Sequence, residues 1–427
     1  MKTNKAITIL LTVFLSVQSL TGQKVYNIED CKRKALENNL QIQNAENRIQ
    51  IAEQLKKTAF TKYFPTINAT GFGFAASEDI IKVPLLPKYI ELSMLDDGML
   101  GSINAVQVVF AGGRIANANK LSQVNLKASE LQERLVEKDV LSKVEEYYWQ
   151  IIALNENEKT LNSVEDMLRE LKRNVKNAVE AGVTKADDLL LIEMKENEIA
   201  SKRISLENGR NLYKRLLAQS MGEKEAFDID TVMMLSEALP VPSSIYTAPE
   251  NLVSNTPEYI LLQQNVEAKS LACEISRGKL MPTVTIGANY NYNDILFDKR
   301  NFGMIFVGIS IPLSDYWGGS YEVKQEKLRY CNALNDMEDK SALLMIRLQK
   351  AFNDLNDAYL QIDIAQKTLE LSSERLRLNE NYYNAGTVCL KDLLEARTNH
   401  QQSRDAYVHA IMDYKLKYNA YLRLSTY

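Results

Sequence analysis

The sequence predicts a mainly helical protein with a small β part, built from two copies of one structural unit. Three observations support this prediction: an internal repeat, two very long segments without glycine or proline, and short segments in which apolar residues alternate with polar ones. Helical periodicity and two-residue alternation are the signals that distinguish helices from strands. The patterns therefore predict long helices connected through strands.

Residues 1–23 have the pattern of a secretory signal peptide. Two lysines precede an apolar run from Ala6 to Val17, and small and polar residues follow it up to Gln23. The run is too short to span a bilayer as a mature helix, so the pattern predicts export. The alternative is a buried N-terminal helix. An exported chain without a further apolar stretch is secreted, periplasmic, or inserted into an outer membrane by strands.

The sequence pattern after residue 23 predicts two structural repeats, residues 24–221 and 250–427, which are joined by a linker at 222–249. The segment from Asn38 to Ile67 is similar in sequence to the segment from Asn255 to Val284, which lies 217 residues later. The following motifs repeat at an offset of 204: Ala181-Gly182 and Asp188-Leu189-Leu190 in the first half, Ala385-Gly386 and Asp392-Leu393-Leu394 in the second. A period of roughly 210 residues is too long for a solenoid and predicts a duplicated half-molecule.

Each repeat predicts one long helix flanked by two shorter ones. Neither glycine nor proline occurs between Arg114 and Glu180 or between Ser320 and Asn384, and apolar residues there recur every three or four positions. A helix of about 65 residues is roughly 100 Å long. The shorter helices are predicted at about 28–62, 184–220, 248–279 and 388–425. A coiled-coil rod is the alternative that periodicity leaves open.

Glycine pairs and single glycines mark the predicted changes of direction. Gly182 and Gly386 predict hairpin tips, where each long helix turns back into a shorter one. Gly112-Gly113 predicts a strand-to-helix corner, which Gly318-Gly319 matches in the second repeat. The spacing of these pairs does not fit a phosphate-binding loop.

Four strands are predicted, at about 66–76 and 101–110 in the first repeat and 283–292 and 302–311 in the second. Pro84 and Pro87 lie in the long loop between the first two. About ten residues is the length of a tilted strand that crosses a bilayer. Four strands leave open edges that lipid does not tolerate, and about eight are needed for a small closed barrel. Several copies must therefore share one barrel, unless the strands are ordinary surface hairpins.

Composition and spacing point away from catalysis, cofactors, metals and nucleic acid. The formal net charge is −4, which gives no case for binding nucleic acid. His400 and His409 are nine residues apart, which places them on roughly opposite sides of a helix. The four cysteines lack metal-ligand spacing and predict small packed residues: Cys31, Cys273, Cys331 and Cys389. No nucleophile, base and orienting acid occur together, so we expect no enzyme.

The hairpin motifs resemble those of the TolC family of outer-membrane efflux channels, and the resemblance extends over essentially the whole mature chain. The residues that carry it are Tyr382-Tyr383-Asn384-Ala385-Gly386-Thr387, then Asp392-Leu393-Leu394-Glu395-Ala396 and the tyrosines of the following helix, with a less complete counterpart from Ala181 to Leu190. The resemblance implies a homotrimer. Four transmembrane strands from each chain would close a twelve-stranded barrel, and the helical hairpins would form an α-helical barrel in the periplasm.

The resemblance also implies pore and gate residues at the hairpin tips. Asp392 and Glu395 match the carboxylate rings that line the narrow mouth of such channels, although acids also stabilise a helix N-terminus. Tyr383 and Asp188 match positions that bond neighbouring hairpins in the closed state. Val388 stands where some family members have a gate arginine, so this chain departs from the family there.

The expected function is that of a passive exit duct in the outer membrane, within a tripartite efflux or type I secretion system. The partners that the resemblance implies are two further copies of the chain, a periplasmic adaptor, an inner-membrane pump of the RND or ABC type, and outer-membrane lipid. The alternative is a non-channel periplasmic helical scaffold or adaptor, whose strands would be surface hairpins. Nothing in the sequence selects the cargo.

Overall fold

A computed structural model describes residues 24–78, 80–85, 90–94, 97–224, 227–230, 239–295 and 299–425. The predicted signal peptide, residues 1–23, lies outside these ranges. The helices are α1 (Ile28–Asn38), α2 (Leu40–Thr61), α3 (Arg114–Glu180), α4 (Ala186–Met221), α5 (Pro249–Val253), α6 (Pro257–Lys279), α7 (Asp315–Asn384) and α8 (Leu390–Ser425). The strands are β1 (Lys24–Tyr26), β2 (Thr66–Ala75), β3 (Ile81–Leu85), β4 (Ile90–Met94), β5 (Asp97–Ala111), β6 (Phe227–Ile229), β7 (Thr283–Asp294) and β8 (Arg300–Ser310).

The corner before α3 forms at Gly112-Gly113, but the matching prediction for Gly318-Gly319 is wrong. Gly112 and Gly113 have φ angles of 58° and 78°, which favour glycine. Gly318 and Gly319 instead lie inside α7. The second corner forms at Pro312, whose carbonyl accepts a hydrogen bond from the Asp315 amide at 3.1 Å.

The predicted helices at 28–62 and 248–279 are each interrupted at the same point of the repeat. Asn39 separates α1 from α2: its Nδ2 donates to the Ser220 carbonyl oxygen at 2.8 Å, and its Oδ1 accepts from the Gln41 amide at 2.8 Å. Thr256, its counterpart at an offset of 217, precedes α6, which begins with Pro257. A side chain that caps the next helix and a proline at its first position both favour a break there.

The chain divides into two compact units that do not coincide with the predicted repeats. The first unit contains residues up to Ala45, Glu133–Pro257 and Ala342–Tyr427, and the second contains Glu46–Gln132 and Glu258–Ser341. Each unit therefore takes segments from both repeats. The division into two repeats around a linker at 222–249 stays a prediction.

The first unit is held together by buried apolar side chains from several helices. One cluster joins the middle of α3 to α1, α4 and α8, and its fully buried members include Ile151, Cys31 and Leu217. Next to it, β1 pairs with β6 in parallel, from Lys24 opposite Phe227 to Tyr26 opposite Ile229. Because burial removes apolar area from water, these contacts stabilise the unit.

A buried carboxylate on α3 binds cations from both ends of the chain. The Glu145 side chain is 5% exposed and accepts a hydrogen bond from Lys32 Nζ of α1 at 2.9 Å. Arg423, near the end of α8, donates Nη1 to the same carboxylate and Nη2 to Ser142 Oγ at 3.0 Å. Burial is the largest influence on the pKa of Lys32 and lowers it, but the hydrogen bonds and negative charges of Glu145 and Glu29 together raise that pKa above its usual value. Glu145 thus ties α1 and α8 to α3.

The second unit contains an antiparallel sheet in the order β2-β5-β7-β8. The β5–β7 pair joins the two repeats, with Ile103 opposite Tyr290. Within the described residues, β2 and β8 each have one edge without a partner strand. The predicted long loop between β2 and β5 contains a hairpin of β3 and β4, with Ile81 opposite Met94; Pro87 lies outside the described ranges.

Two further features of the fold are the burial of the cysteines and the polarity of the helices. All four cysteines are free; Cys31 and Cys273 are buried, as predicted, whereas Cys331 and Cys389 are exposed. Burial raises the pKa of the Cys31 thiol to about 12. Across the described ranges, every helix is too short or too polar to cross a membrane.

Candidate functional site

The two hairpin tips have the same backbone turn. Gly182 and Gly386 follow α3 and α7 with φ angles of 70° and 73°. Beyond the first glycine, the Val183 amide donates to the Ala178 carbonyl at 2.8 Å; beyond the second, the Thr387 amide donates to the Tyr382 carbonyl at 2.9 Å. This six-to-one bond around a left-handed glycine is the Schellman cap. The repeated Ala-Gly motif therefore encodes one turn twice.

We expect Gly386→Ala to destabilise the first unit by about 1–2 kcal/mol, because a left-handed conformation places Cβ against the carbonyl oxygen. A Cβ at this position meets no other atom within 4 Å, so the cost comes from the backbone alone. The measurement is thermal unfolding followed by circular dichroism. Gly209→Ala, inside α4, is the matched control and should stabilise the protein, since the new Cβ lies 3.5 Å from Leu154 Cδ1. Equal effects at both positions would contradict the role of the turn.

The fold brings Tyr383 and Asp188 into one neighbourhood, although they belong to different repeats. Tyr383 packs against an apolar cluster at the tips that includes Ile192 of α4 and Leu390 of α8. Burial, and then the negative charge of Asp188, raise the pKa of Tyr383. Asp188 itself accepts a hydrogen bond from Thr184 Oγ1.

Asp392 and Glu395 are both exposed on the first turns of α8, with buried Leu393 between them. Their partners differ. Cys389 Sγ donates to Asp392 Oδ2 at 3.1 Å, so the thiol leaves the charge of this carboxylate in place. Glu395 accepts from Arg375 Nη2 at 3.2 Å. The guanidinium offsets part of the Glu395 charge, and Asp392 is the stronger source of negative potential.

Val388 corresponds to Thr184 at the offset of 204, which explains the difference between the two tips. Thr184 donates to Asp188, but a valine has no donor for Asp392. Cys389 supplies the hydrogen bond instead. Sequence reasoning missed Cys389 and Arg375; the exchange of Val183-Thr184 for Thr387-Val388 is the signal that could have identified the first.

One face of the β2-β5-β7-β8 sheet is apolar and exposed. Residues at alternate positions share a face, and in β8 the apolar positions are Ile305, Val307 and Ile309, which are 84%, 68% and 68% exposed. Ile67 of β2 and Tyr290 of β7 lie on the same face and are 68% and 54% exposed. A monomeric soluble protein rarely exposes an apolar surface of this extent.

The opposite face is polar on β2, β5 and β7 near its centre, whereas β8 contributes Phe302, Met304 and Phe306 to it. Asn68, Asn104 and Asn289 are paired across three neighbouring strands. In the next row, Thr70 Oγ1 and Ser102 Oγ are 2.7 Å apart, so one hydroxyl donates to the other. The sheet therefore has the two unlike faces that a membrane barrel wall requires.

The histidines contact different helices. His400 Nδ1 lies 3.4 Å from Ser372 Oγ of α7, whereas His409 Nε2 lies 3.4 Å from Asn157 Nδ2 of α3. In the part of the chain that the structure describes, no three histidine, cysteine or acidic side chains are grouped so that they could hold a metal ion.

Comparison with curated proteins relates the chain to two outer-membrane proteins. The pyoverdine export outer membrane protein OpmQ of Pseudomonas aeruginosa is 23% identical over 323 residues, which are 74% of this chain and 66% of OpmQ. TolC of Escherichia coli is 25% identical over 120 residues, which are 28% of this chain and 24% of TolC. The alignments thus span less than two thirds of either relative.

Comparison with solved structures shows the fold. The outer membrane channel CmeC of Campylobacter jejuni superposes with a TM-score of 0.83 at 15% identity, over 93% of this chain and 85% of CmeC. The mainly helical fold with a small β part is therefore that of TolC-like channels, as the sequence predicts.

A family model described as "Outer membrane efflux protein" matches residues 32–215 and 249–424. The match covers most of both predicted repeats, and the family and fold are those of transport channels. The resemblance to the TolC family and the predicted outer-membrane localisation are both confirmed. The chain belongs to the outer membrane efflux protein family.

Proposed function

We propose that three copies of this chain form the passive exit duct of a tripartite efflux or type I secretion system. The observation that carries the proposal is the sheet of the second unit, with its exposed apolar face and its open edges on β2 and β8. Pairing β8 of one copy with β2 of the next would satisfy both edges. Four strands from each of three copies would give a barrel of about twelve strands, with the apolar face toward lipid.

A periplasmic adaptor and an inner-membrane pump of the RND or ABC type would supply coupling and energy. Family membership and the names of relatives support this part of the proposal, since OpmQ is named for export. In this proposal the chain performs no chemistry on its cargo.

A periplasmic scaffold without a channel is the less favoured function. In a scaffold the strands would be surface hairpins, and Ile305, Val307 and Ile309 would face water. Exposed apolar surface of this kind promotes association or aggregation. In a barrel embedded in lipid these apolar side chains would contact acyl chains instead of water.

Fractionation and conductance test the proposal together. We expect the protein in outer-membrane fractions as a heat-modifiable trimer, and we expect the purified protein to conduct ions across planar bilayers. A water-soluble monomer that is folded without detergent would overturn the channel.

Within this channel, Asp392, Glu395, Asp188 and Tyr383 would line or lock the narrow mouth at the hairpin tips, beside the glycine turns. Three copies would place the carboxylates of Asp392 and Glu395 around the pore, where rings of negative charge favour cations. Tyr383 and Asp188 would form closing contacts between neighbouring hairpins. Val388 brings no charge to the mouth.

Asp392→Ala should reduce cation preference more than Glu395→Ala does, because Arg375 already offsets part of the Glu395 charge. The measurement is the reversal potential of single channels in a salt gradient. Arg375→Ala should have the opposite effect and increase cation preference. If all three variants keep the selectivity of the wild type, these side chains do not face the pore.

A further inference from the structure

The polar face of the β2-β5-β7-β8 sheet contains a cavity of about 360 Å³. It lies toward the strand ends that are joined by the connections at 76–96 and 295–299, away from the strand ends that lead into helices. All four strands contribute to its lining, among them Thr70 and Phe72 of β2 and Phe302 of β8. This volume suits a small molecule.

The lining is uncharged, hydrogen-bonding and partly aromatic. Its polar side chains are Thr70, Ser102, Asn291 and Asn293. The phenyl rings of Phe72 and Phe302 supply apolar surface. None of the lining residues that the structure describes carries a charge at neutral pH. Arg300 stands opposite Asn293 in the β7–β8 register and is outside this lining.

Internal hydrogen bonds orient the polar side chains without using all their capacity. The Thr70 and Ser102 hydroxyls share one bond of 2.7 Å, and Ser102 Oγ also accepts from Asn104 Nδ2 at 3.0 Å, which leaves one hydroxyl hydrogen and two lone pairs. Asn291 Nδ2 donates one hydrogen to Asn289 Oδ1 at 3.1 Å and retains a second N–H and its own Oδ1. The cavity therefore offers donors and acceptors side by side.

Among the described lining residues, none carries a charge that would hold an ion in this cavity. An uncharged ring compound with hydroxyl groups can instead place its apolar face on a phenyl ring and bond its hydroxyls to the amides and hydroxyls. We propose that this cavity binds such a molecule, for example the sugar ring of a glycoside, as it passes. The inference rests on the proposed channel, in which the polar face becomes the pore wall.

Two probes of nearly equal size separate this inference from nonspecific block. Phenyl β-D-glucoside is neutral, and phenyl β-D-glucuronide carries a carboxylate on the same ring. Each is added to both sides of single channels in phosphatidylcholine bilayers without glycolipid, so that any block comes from the soluble compound. We expect the glucoside to interrupt the current at concentrations at least about tenfold lower than the glucuronide.

Matched variants locate the effect. Thr70→Ala with Asn291→Ala removes cavity groups from β2 and β7, and should raise the half-blocking concentration of the glucoside about tenfold. Thr66→Ala with Thr285→Ala changes the same strands and the same face outside the cavity, and should leave it unchanged. Heat-modifiable mobility verifies that both doubles still assemble. The inference is overturned if the two probes block the channel equally. It is also overturned if the two double variants lose the same amount of sensitivity to the glucoside.

Calorimetric titration of the same proteins in a zwitterionic detergent measures binding without conductance. One outcome is that the protein conducts no ions but binds the glucoside, and that the double variant Thr70→Ala with Asn291→Ala binds it more weakly. This result would support the site and refute the channel. Open channels with no glucoside binding by either method would preserve the channel and refute the site.

Discussion

Ile305→Arg should abolish assembly of the trimer in the outer membrane. Ile305 is 84% exposed in the middle of β8, opposite Ala288, on the apolar face. A cation on the lipid side of a barrel costs about 2–4 kcal/mol near the middle of the bilayer, and a trimer would bear that cost three times. The measurement is the amount of heat-modifiable trimer in outer-membrane fractions, which we expect to fall at least about tenfold.

Met304→Arg is the control for this variant, because Met304 precedes Ile305 and lies on the polar face. It should assemble normally, since its side chain would face the water-filled interior of the proposed barrel. If Ile305→Arg assembles as well as Met304→Arg, the apolar face does not contact lipid.

Glu145→Ala should destabilise the first unit by about 3 kcal/mol. The substitution leaves Lys32 and Arg423 without their shared carboxylate in a partly buried site, and the loss of one partner from a buried ion pair is costly. Exposure of about a quarter of the lysine side chain and a fifth of the arginine side chain keeps the cost at the lower end of the range. The measurement is thermal unfolding by far-ultraviolet circular dichroism in detergent.

Glu146→Ala provides the comparison, because Glu146 is the exposed neighbour of Glu145 on α3. Its effect should stay within about 0.5 kcal/mol. Glu145→Gln, which retains hydrogen-bonding oxygen but loses the charge, should fall between the two alanine variants. Equal stability of all three variants would show that the buried carboxylate does not hold α1 and α8 in place.

Long, uninterrupted patterns made most of the fold predictable. No glycine or proline occurs between Arg114 and Glu180, and α3 has these same bounds. The turns at Gly182 and Gly386 could be predicted because the left-handed backbone conformation that they adopt favours glycine. Strand alternation likewise identifies β7 before any pairing is known.

Features that depend on contacts between distant segments were not predictable. Gly318-Gly319 has the same letters as Gly112-Gly113, but Pro312 forms the second corner and the glycines continue the helix. Gly319 gives space to Leu280, whose Cδ2 would lie 2.4 Å from an added Cβ. A sequence repeat does not report which of two nearby turn signals is used.

The candidate site shows the same limit. The resemblance predicted that Asp392 and Glu395 are pore carboxylates. It did not predict that Arg375 pairs with only one of them. Glu145 carried no sequence signal, since a buried glutamate in a long helix has the same spacing as an exposed one. Its partners come from opposite ends of the chain, and only the folded structure brings them together.

The way both repeats contribute to each compact unit affects how the protein matures after export. In the first unit, Leu161 and Leu168 of α3 belong to the same buried cluster as Leu390 and Leu393 of α8. The apolar stripe of α3 therefore leaves the secretion machinery more than two hundred residues before its packing partner. We therefore expect the nascent chain to need protection from aggregation in the periplasm until α8 has been translocated.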